Sequence, residues 1–116
     1  LVIYDRITQE YHTGDVVVIK QDGGRQIRRV AAVAGDVVDV TEEGLSVNGY
    51  QQQEANICTE TLPYKNGIAY PLTVGEGQLF VLGDNRISAE DGRIYGTTDL
   101  KDVQGVVMTV IRRRNI

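Results

Sequence analysis

Short apolar runs rich in β-branched residues alternate along the chain with clusters of Gly, Asp and Asn. Runs of this kind, separated by turn-forming residues, are typical of β-strands. No apolar stripe at helical spacing persists for three turns. At most one helical turn is predicted, near residues 88–91 or 97–101. The pattern therefore predicts an all-β domain, a barrel or sandwich of short antiparallel strands with little helix.

The turns between the runs set the bounds of the predicted strands. Residues 21–24 and Asn48-Gly49 are predicted as hairpin turns, because Asp-Gly and Asn-Gly favour the tight turn that joins paired strands. Residues 51–70 are polar and without a period, which predicts one long excursion. The predicted strands cover residues 16–19, 27–33, 37–40, 45–47, 78–82 and 103–111, with Gly105 as a bulge in the last one.

Length and composition narrow the class of protein. The chain has 116 residues, 41% of them hydrophobic and 24% charged, which fits a single globular domain over residues 1–116. A net charge of −4 disfavours nucleic acid as a partner, because binding it needs a basic surface. Leu1 has no Met before it and already opens an apolar run, so we expect the chain to be part of a longer protein.

The single cysteine and the single histidine offer little chemistry. A nucleophile pair of Cys58 with His12 would need a third, orienting group that the sequence does not suggest. Cys58 is therefore interpreted as a small, half-buried residue and His12 as a solvated loop residue. No cluster of His, Cys and Asp has metal-ligand spacing, so no metal is predicted.

Three stretches of the sequence, considered together, point to a particular protein family. In order and spacing they resemble the extracytoplasmic domain of bacterial type I signal peptidases, over nearly the whole chain. The third is the most specific, with Gly-Asp-Asn-Arg, then Asp and Arg after a short gap, then Gly. The stretches are residues 13–18, residues 27–38 followed by 45–49, and residues 82–96, which include Gly83, Asp84, Asn85, Arg86, Asp91, Arg93 and Gly96.

The resemblance implies a signal-peptidase-like β-fold that needs no cofactor. It also implies a place at the extracytoplasmic face of the bacterial plasma membrane, held by an N-terminal anchor that precedes Leu1. The implied partner is an extended segment of an exported precursor protein, bound as a strand against a sheet edge. Gly83, Gly92 and Gly96 are interpreted as positions whose backbone angles other residues resist.

The family cleaves with a serine nucleophile and a lysine general base. A lysine can act as a base where burial favours its neutral form. The resemblance places the serine upstream of Leu1 and the lysine at Arg28, the first residue of the pair Arg28-Arg29. Because an arginine side chain stays protonated in proteins, Arg28 cannot be the base. Lys20, on the preceding strand, would require a different site geometry.

A second departure agrees with the first. Two residues before the motif's Asp, the family usually has a serine whose hydroxyl bonds the lysine, and here that position is Ala89. Loss of the base together with its partner indicates loss of a catalytic unit. Arg28 is expected to find a carboxylate instead, with Asp91 the closest candidate, because an unpaired buried guanidinium would be very unfavourable.

The rest of the motif is interpreted as a structural network. The resemblance implies that Asp84 pairs with Arg29 and that Asp91 pairs with Arg93. These pairs would fasten the loop that contains the Gly-Asp-Asn-Arg motif to the strand that contains Arg28. The alternative is a set of surface pairs that contribute about 0–1 kcal/mol each. The network residues are Arg29, Asp84, Asn85, Arg86, Asp91 and Arg93.

Two functions from different classes follow from the resemblance. The substitutions at Arg28 and Ala89 favour a non-catalytic binding or assembly factor, of the kind associated with pilus assembly, which holds a signal peptide or a pilin precursor without cutting it. The alternative is an active type I signal peptidase, a serine endopeptidase that cleaves after Ala-x-Ala-like sites. A self-cleaving repressor-type peptidase is disfavoured by residues 83–86 and by the missing lysine.

Overall fold

The computed structural model of the chain describes residues 2–3, 10–52 and 61–109. The predicted all-β architecture is confirmed, since strands dominate these residues and helix is limited to single turns. The strands are β1 (Val2–Ile3), β2 (Val16–Gln21), β3 (Gly24–Val33), β4 (Val37–Thr41), β5 (Gly44–Val47), β6 (Tyr50–Gln51), β7 (Leu72–Thr73), β8 (Gln78–Leu82), β9 (Thr98–Asp99) and β10 (Val103–Thr109).

The strands form two antiparallel sheets. The larger sheet has six strands in the order β1-β10-β2-β3-β8-β9, and the smaller has four in the order β6-β5-β4-β7. Strand β3 lies near the middle of the larger sheet, between β2 and β8. Both arginines of the Arg28-Arg29 pair therefore lie on a central strand, whose position neighbouring strands fix on both sides.

The larger sheet packs on both of its faces. Successive side chains of a strand point to opposite faces, so the apolar residues of β3 and β8 divide between two cores. One core lies between the sheets and contains Ala32, Phe80 and Leu82 with residues of β4 and β5. The second core contains Val30 and Val81 with residues of β2 and β10. The apolar run of strand β8 is thus explained by burial from both sides.

Several local predictions are confirmed. The hairpin turns have positive φ at Asp22 (53°) and Gly23 (79°), and again at Asn48 (56°) and Gly49 (85°), as a type I′ turn requires. Strand β8 has the predicted bounds. The register of β10 against β2 shifts between Val103 and Gly105, which is the predicted bulge.

The prediction of at most one helical turn is wrong. Helix α1 (Gly92–Tyr95) and a 3₁₀ turn (Leu100–Asp102) are both present, and neither has the predicted bounds. Helix α1 begins where the Asp91 side chain accepts a hydrogen bond from the backbone N–H of Arg93, the usual N-cap contact. The start of helix α1 is therefore marked in the sequence by the capping residue Asp91, and not by an apolar stripe at helical spacing.

The predicted excursion is only partly described. Gln51 belongs to β6, residues 61–70 contain neither strand nor helix, and residues 53–60 lie outside the described residues. Cys58, which is predicted to be half-buried, lies in this segment outside the described residues. In the described part of the chain, no helix is long and apolar enough to cross a membrane.

Candidate functional site

Strands β3 and β8 bring the two halves of the candidate site together. Arg29 lies opposite Leu82, the last residue of β8. The segment that follows β8, residues 83–91, then returns along β3 and reaches the Arg28 side chain through the carbonyl of Glu90. The Arg28-Arg29 pair and the Gly-Asp-Asn-Arg motif therefore meet in the fold, although Arg29 and Asp84 are 55 residues apart in the sequence.

Arg29 and Asp84 form a bidentate pair. Arg29 Nε donates to Asp84 Oδ1 at 2.9 Å and Nη2 donates to Oδ2 at 2.8 Å, while Nη1 donates to the carbonyl of Gly14 at 3.2 Å. The hydrogen bond from Arg29 holds the pKa of the Asp84 carboxyl below its usual value. The side chains are 28% and 53% exposed, so water screens this pair.

Asp91 and Arg93 form a second pair that is fully buried, with both side chains 0% exposed. Arg93 Nε donates to Asp91 Oδ1 at 2.9 Å and Nη2 donates to Oδ2 at 2.8 Å. Burial opposes the charge of Arg93, but the hydrogen bond and the negative charge of Asp91 prevail and raise the pKa of Arg93. Asp91 Oδ2 also accepts from the backbone N–H of Gly83 at 2.8 Å, which fastens the start of the motif loop.

The remaining network residues fasten the same loop to residues 61–64. Buried Arg86 donates to the carbonyl of Gly83 at 2.7 Å and to the hydroxyl of Thr61. Arg93 Nη1 donates to the carbonyl of Arg86 at 2.8 Å. Asn85 is exposed and takes part through its backbone carbonyl, which accepts from the N–H of Ala89 at 3.0 Å.

Tyr64 is a member of this network that sequence reasoning missed. Its ring centroid lies 4.5 Å from the Arg93 guanidinium carbon, a cation–π contact. Its hydroxyl donates to the carbonyl of Ala89 at 2.6 Å. The local sequence carries no signal for this role, because Tyr64 lies in the aperiodic excursion and only tertiary packing brings it to residue 93.

Among the described residues, Arg28 does not pair with a carboxylate. The expectation that Asp91 would be its partner is wrong. Both oxygens of Asp91 are occupied by Arg93 and by the N–H of Gly83. Arg28 Nε and Nη2 instead donate to the carbonyl of Glu90 at 3.0 and 2.8 Å. Nη1 donates to the carbonyl of Ile27 at 2.8 Å, so three backbone-directed hydrogen bonds hold the guanidinium.

Ala89 lies beside Arg28, with Gly83 between the two side chains. A Cβ added at Gly83 would lie 2.4 Å from Ala89 Cβ and 3.5 Å from both Cδ and Nε of Arg28. Residues 28 and 89, to which the resemblance assigns the base and its hydroxyl partner, are therefore neighbours. The Ala89 side chain, a methyl group, has no oxygen with which to bond residue 28.

The interpretation of the motif glycines needs correction at two of three positions. Gly96 has φ of 82°, as expected for a position that other residues resist. Gly83 and Gly92 are not among the glycines with positive φ. An added Cβ would instead lie 2.4 Å from Ala89 Cβ at Gly83, and 2.7 Å from the Val81 carbonyl at Gly92. Close packing against Ala89 at Gly83, and against β8 at Gly92, is the reason for glycine at these two positions.

A small cleft of about 200 Å³ opens in front of the arginine pair. It is lined by the apolar side chains of Val16 and Ile27 and by the charged side chains of Arg28, Arg29 and Asp84. Ile27 is 59% exposed, so an apolar surface borders two guanidinium groups. A peptide segment laid across this surface would meet both kinds of group.

Other residues considered for chemistry lie outside this cleft. The His12 side chain is 71% exposed, in agreement with its interpretation as a solvated loop residue. Lys20 is exposed and lies opposite Arg25, whereas Arg28 lies opposite Val17. In the described segments, no three or more His, Cys, Asp or Glu side chains form a group that could hold a metal.

Comparison with known proteins agrees with the resemblance drawn from the motifs. A family profile described as signal peptidase, peptidase S26, matches residues 1–111. Signal peptidase I of Bacillus licheniformis is 32% identical over 109 residues, covering 86% of this chain and 59% of that protein. Signal peptidase I S of Bacillus subtilis (strain 168) is 29% identical over 91 residues, covering 72% of this chain and 50% of that protein. The chain thus spans about half the length of these curated relatives.

A solved structure shows the same fold. The crystal structure of a signal peptidase I from Enterococcus faecalis V583 superposes with a TM-score of 0.70 at 24% identity, covering 85% of this chain and 97% of that one. At this identity the likeness concerns the fold alone. It agrees with the all-β fold of the described residues.

Proposed function

The chain belongs to the signal peptidase family, peptidase S26, and from this premise we propose that it is a non-catalytic member that binds rather than cuts. The proposed ligand is an extended segment of an exported precursor, such as a signal peptide or a pilin. The proposed place of action is the extracytoplasmic face of the bacterial plasma membrane, with an anchor expected upstream of Leu1.

The state of Arg28 carries this proposal. Its guanidinium donates three hydrogen bonds to backbone carbonyls, at the position where the family's pattern has a lysine base. Arginine has five N–H donors and no acceptor, and it keeps its charge in proteins. A group that cannot accept a proton cannot activate a serine, so the arrangement supports binding without cleavage.

The neighbouring residue supports the same conclusion. Ala89 lies next to Gly83 and Arg28 and offers no hydroxyl to orient a base. The network around it, by contrast, is complete, since Asp84, Asp91 and Arg93 all have charged partners. A binding role needs the loop to keep its structure, but it does not need the groups that transfer a proton.

An active signal peptidase is the competing function, favoured by the names of the relatives. It would need another base near the cleft. Lys20 is on β2, three residues along the strand from Val17, the residue opposite Arg28. That separation is about 10 Å along a strand, and Lys20 is exposed and does not line the cleft.

The test is cleavage of a fluorogenic Ala-x-Ala signal-peptide substrate by the full-length protein in detergent. An active family member serves as the positive control. We expect no turnover, together with saturable binding of a fluorescent precursor segment. Turnover that disappears when the serine expected upstream is mutated would overturn the proposal.

Two variants make the test sharper. Arg28→Lys, alone and with Ala89→Ser, restores the side chains that the family's pattern has at these positions. If the site lacks only these groups, the double variant gains turnover and the wild-type chain has none. Arg25→Lys, an identical exchange at an exposed position of the same strand, is the matched control and is expected to stay inactive.

A further inference from the structure

The fixed guanidinium of Arg28 has hydrogen-bonding capacity left over. A guanidinium carries five N–H groups, and Arg28 uses one on Nε, one on Nη1 and one on Nη2. Two N–H groups therefore remain on the terminal nitrogens. The Tyr95 hydroxyl donates to Gln26 Oε1 at 3.2 Å, and it can accept one of these N–H groups, since the charge of Arg28 and a hydrogen bond from it oppose the rise of the pKa of Tyr95. One terminal N–H is left for a ligand.

The charge of Arg28 is also uncompensated locally. Of the charged side chains that line the cleft, Asp84 is committed to Arg29 by two hydrogen bonds. In the part of the chain that the structure describes, no carboxylate lies within ion-pair distance of Arg28. The described charged side chains that line the cleft are therefore two cations and one anion.

From these observations we infer that Arg28 forms a carboxylate-binding subsite in the cleft. A carboxylate can accept the terminal N–H that remains, and the charge of the guanidinium strengthens this hydrogen bond. The apolar walls formed by Val16 and Ile27 fit a short aliphatic stem behind the carboxylate. The subsite is preorganised, because the backbone carbonyls of Glu90 and Ile27 already hold the guanidinium in place.

The inference rests on the proposed function for the source of the carboxylate, which is the bound segment. The group is either an Asp or Glu side chain within the segment or the terminal carboxylate of a peptide. The two sources present the same chemistry to Arg28, so the experiment includes one arm for each.

The experiment measures binding of fluorescent Ala/Ser nonapeptides to the full chain by anisotropy. One pair of amidated peptides differs only by a central Glu or Gln, and a second pair has no acidic side chain and differs by a free or amidated C-terminus. We expect one carboxylate-bearing peptide to bind at least about tenfold more tightly than its neutral partner. The pair that shows the difference identifies the source.

Variants assign the difference to Arg28. In Arg28→Gln we expect the preference for the carboxylate to disappear. In Arg28→Lys, which loses the planar guanidinium, we expect only part of the preference to remain. Arg25→Gln removes the same charge from an exposed position on β3 and should keep the full preference. A thermal melt of each variant verifies that it is folded.

The outcomes separate this inference from the proposed function. If charged and neutral peptides bind equally well to the wild-type chain, the carboxylate subsite is refuted while the binding function stands. If no peptide binds, the binding function fails, and sodium acetate is titrated while the ¹⁵Nε resonance of Arg28 is followed. A saturable shift at Arg28 that is absent at Arg25 would then support the subsite, and no shift would refute it.

Discussion

The candidate site contains two arginine–carboxylate pairs with nearly identical geometry and very different surroundings. In the buried pair, Asp91 and Arg93 are both 0% exposed, and in the half-exposed pair, Arg29 and Asp84 are 28% and 53% exposed, yet both have an N···O distance of 2.8 Å. Distance alone therefore does not rank them. What differs is the cost of leaving one partner alone, which rises steeply with burial.

The two pairs differ in what they contact as well as in their burial. The buried pair holds the N–H of Gly83 and the carbonyls of Leu62 and Arg86, so it fixes the path of residues 83–93. The half-exposed pair lines the cleft, and it leaves the neighbouring Arg28 without a competing carboxylate. Changes to the first pair should affect folding, and changes to the second should affect the cleft.

The largest effect is expected from Arg93→Met, which leaves the Asp91 carboxylate buried without its counter-charge. Loss of one partner of a buried pair typically lowers the free energy of unfolding by about 3–5 kcal/mol. Urea denaturation at neutral pH measures the change. Arg25→Met removes the same charge at an exposed position and should cost no more than about 0.5 kcal/mol. Equal losses in the two variants would mean that burial does not set the difference.

The second largest effect is expected from Gly92→Ala, which tests the packing next to the buried pair without changing a charge. A Cβ at Gly92 would lie 2.7 Å from the Val81 carbonyl and 2.8 Å from Phe80 Cε1. Helix propensity alone predicts that Gly92→Ala stabilises the fold by about 0.5–1 kcal/mol. The overlap with backbone should dominate, with a net loss of about 1–3 kcal/mol.

The control for this substitution is Gly24→Ala. An added Cβ at Gly24 meets nothing nearer than the Gln21 carbonyl at 3.8 Å, so this variant should be neutral or slightly stabilised. Thermal melts of the two variants decide the matter. If Gly92→Ala is as stable as Gly24→Ala, the loop is not pressed against β8 as closely as the buried pair requires.

The contrast between the pairs also marks what the sequence could predict. The resemblance to the signal peptidase family implied that Asp84 pairs with Arg29 and that Asp91 pairs with Arg93, and the structure contains both pairs. The hairpin at Asp22-Gly23 followed from local turn chemistry. Nothing in the pattern showed which of the two pairs would be buried.

Features that depend on tertiary contact escaped sequence reasoning. The partner of Arg28 was expected to be a carboxylate, but saturation of Asp91 by other donors left it the carbonyl of Glu90. Strand β7, only two residues long, exists because β4 offers it a partner. Such pairings are decided by which groups remain free after the core has formed, and a local pattern does not contain that information.

Alkaline pH should act on the buried region. Burial raises the pKa of Tyr70 from 10.0 to about 12. The nearby charges have smaller effects, since Arg93 lowers this pKa and Asp91 raises it. The folded chain then holds this proton more tightly than the unfolded chain does. Stability should be unaffected below pH 10 and fall between pH 10 and 12, by about 1 kcal/mol after allowance for partial solvent exposure.

Tyr70→Phe identifies the contribution of that hydroxyl. Its oxygen is buried without a hydrogen-bond partner among the described residues, so its removal should cost little at neutral pH. Because burial also raises the pKa of Tyr95 to about 12, the variant should keep part of the alkaline slope. Urea denaturation at pH 8 and pH 11 provides the measurement, and an unchanged slope would show that Tyr70 does not titrate as described.

The smallest effect is expected at the half-exposed pair, where Asp84→Asn keeps the shape and removes the charge. Because the hydrogen bond from Arg29 lowers the pKa of Asp84 in the folded chain, its contribution is present above about pH 4 and is lost as pH falls through the lowered pKa. Screening limits that contribution to about 0–1 kcal/mol. Urea denaturation of wild type and variant at pH 7 should differ by this amount, and the difference should shrink both in acid and in high salt. A loss as large as that of Arg93→Met would contradict this difference between the two pairs, since the exposed pair would then support the fold as strongly as the buried one.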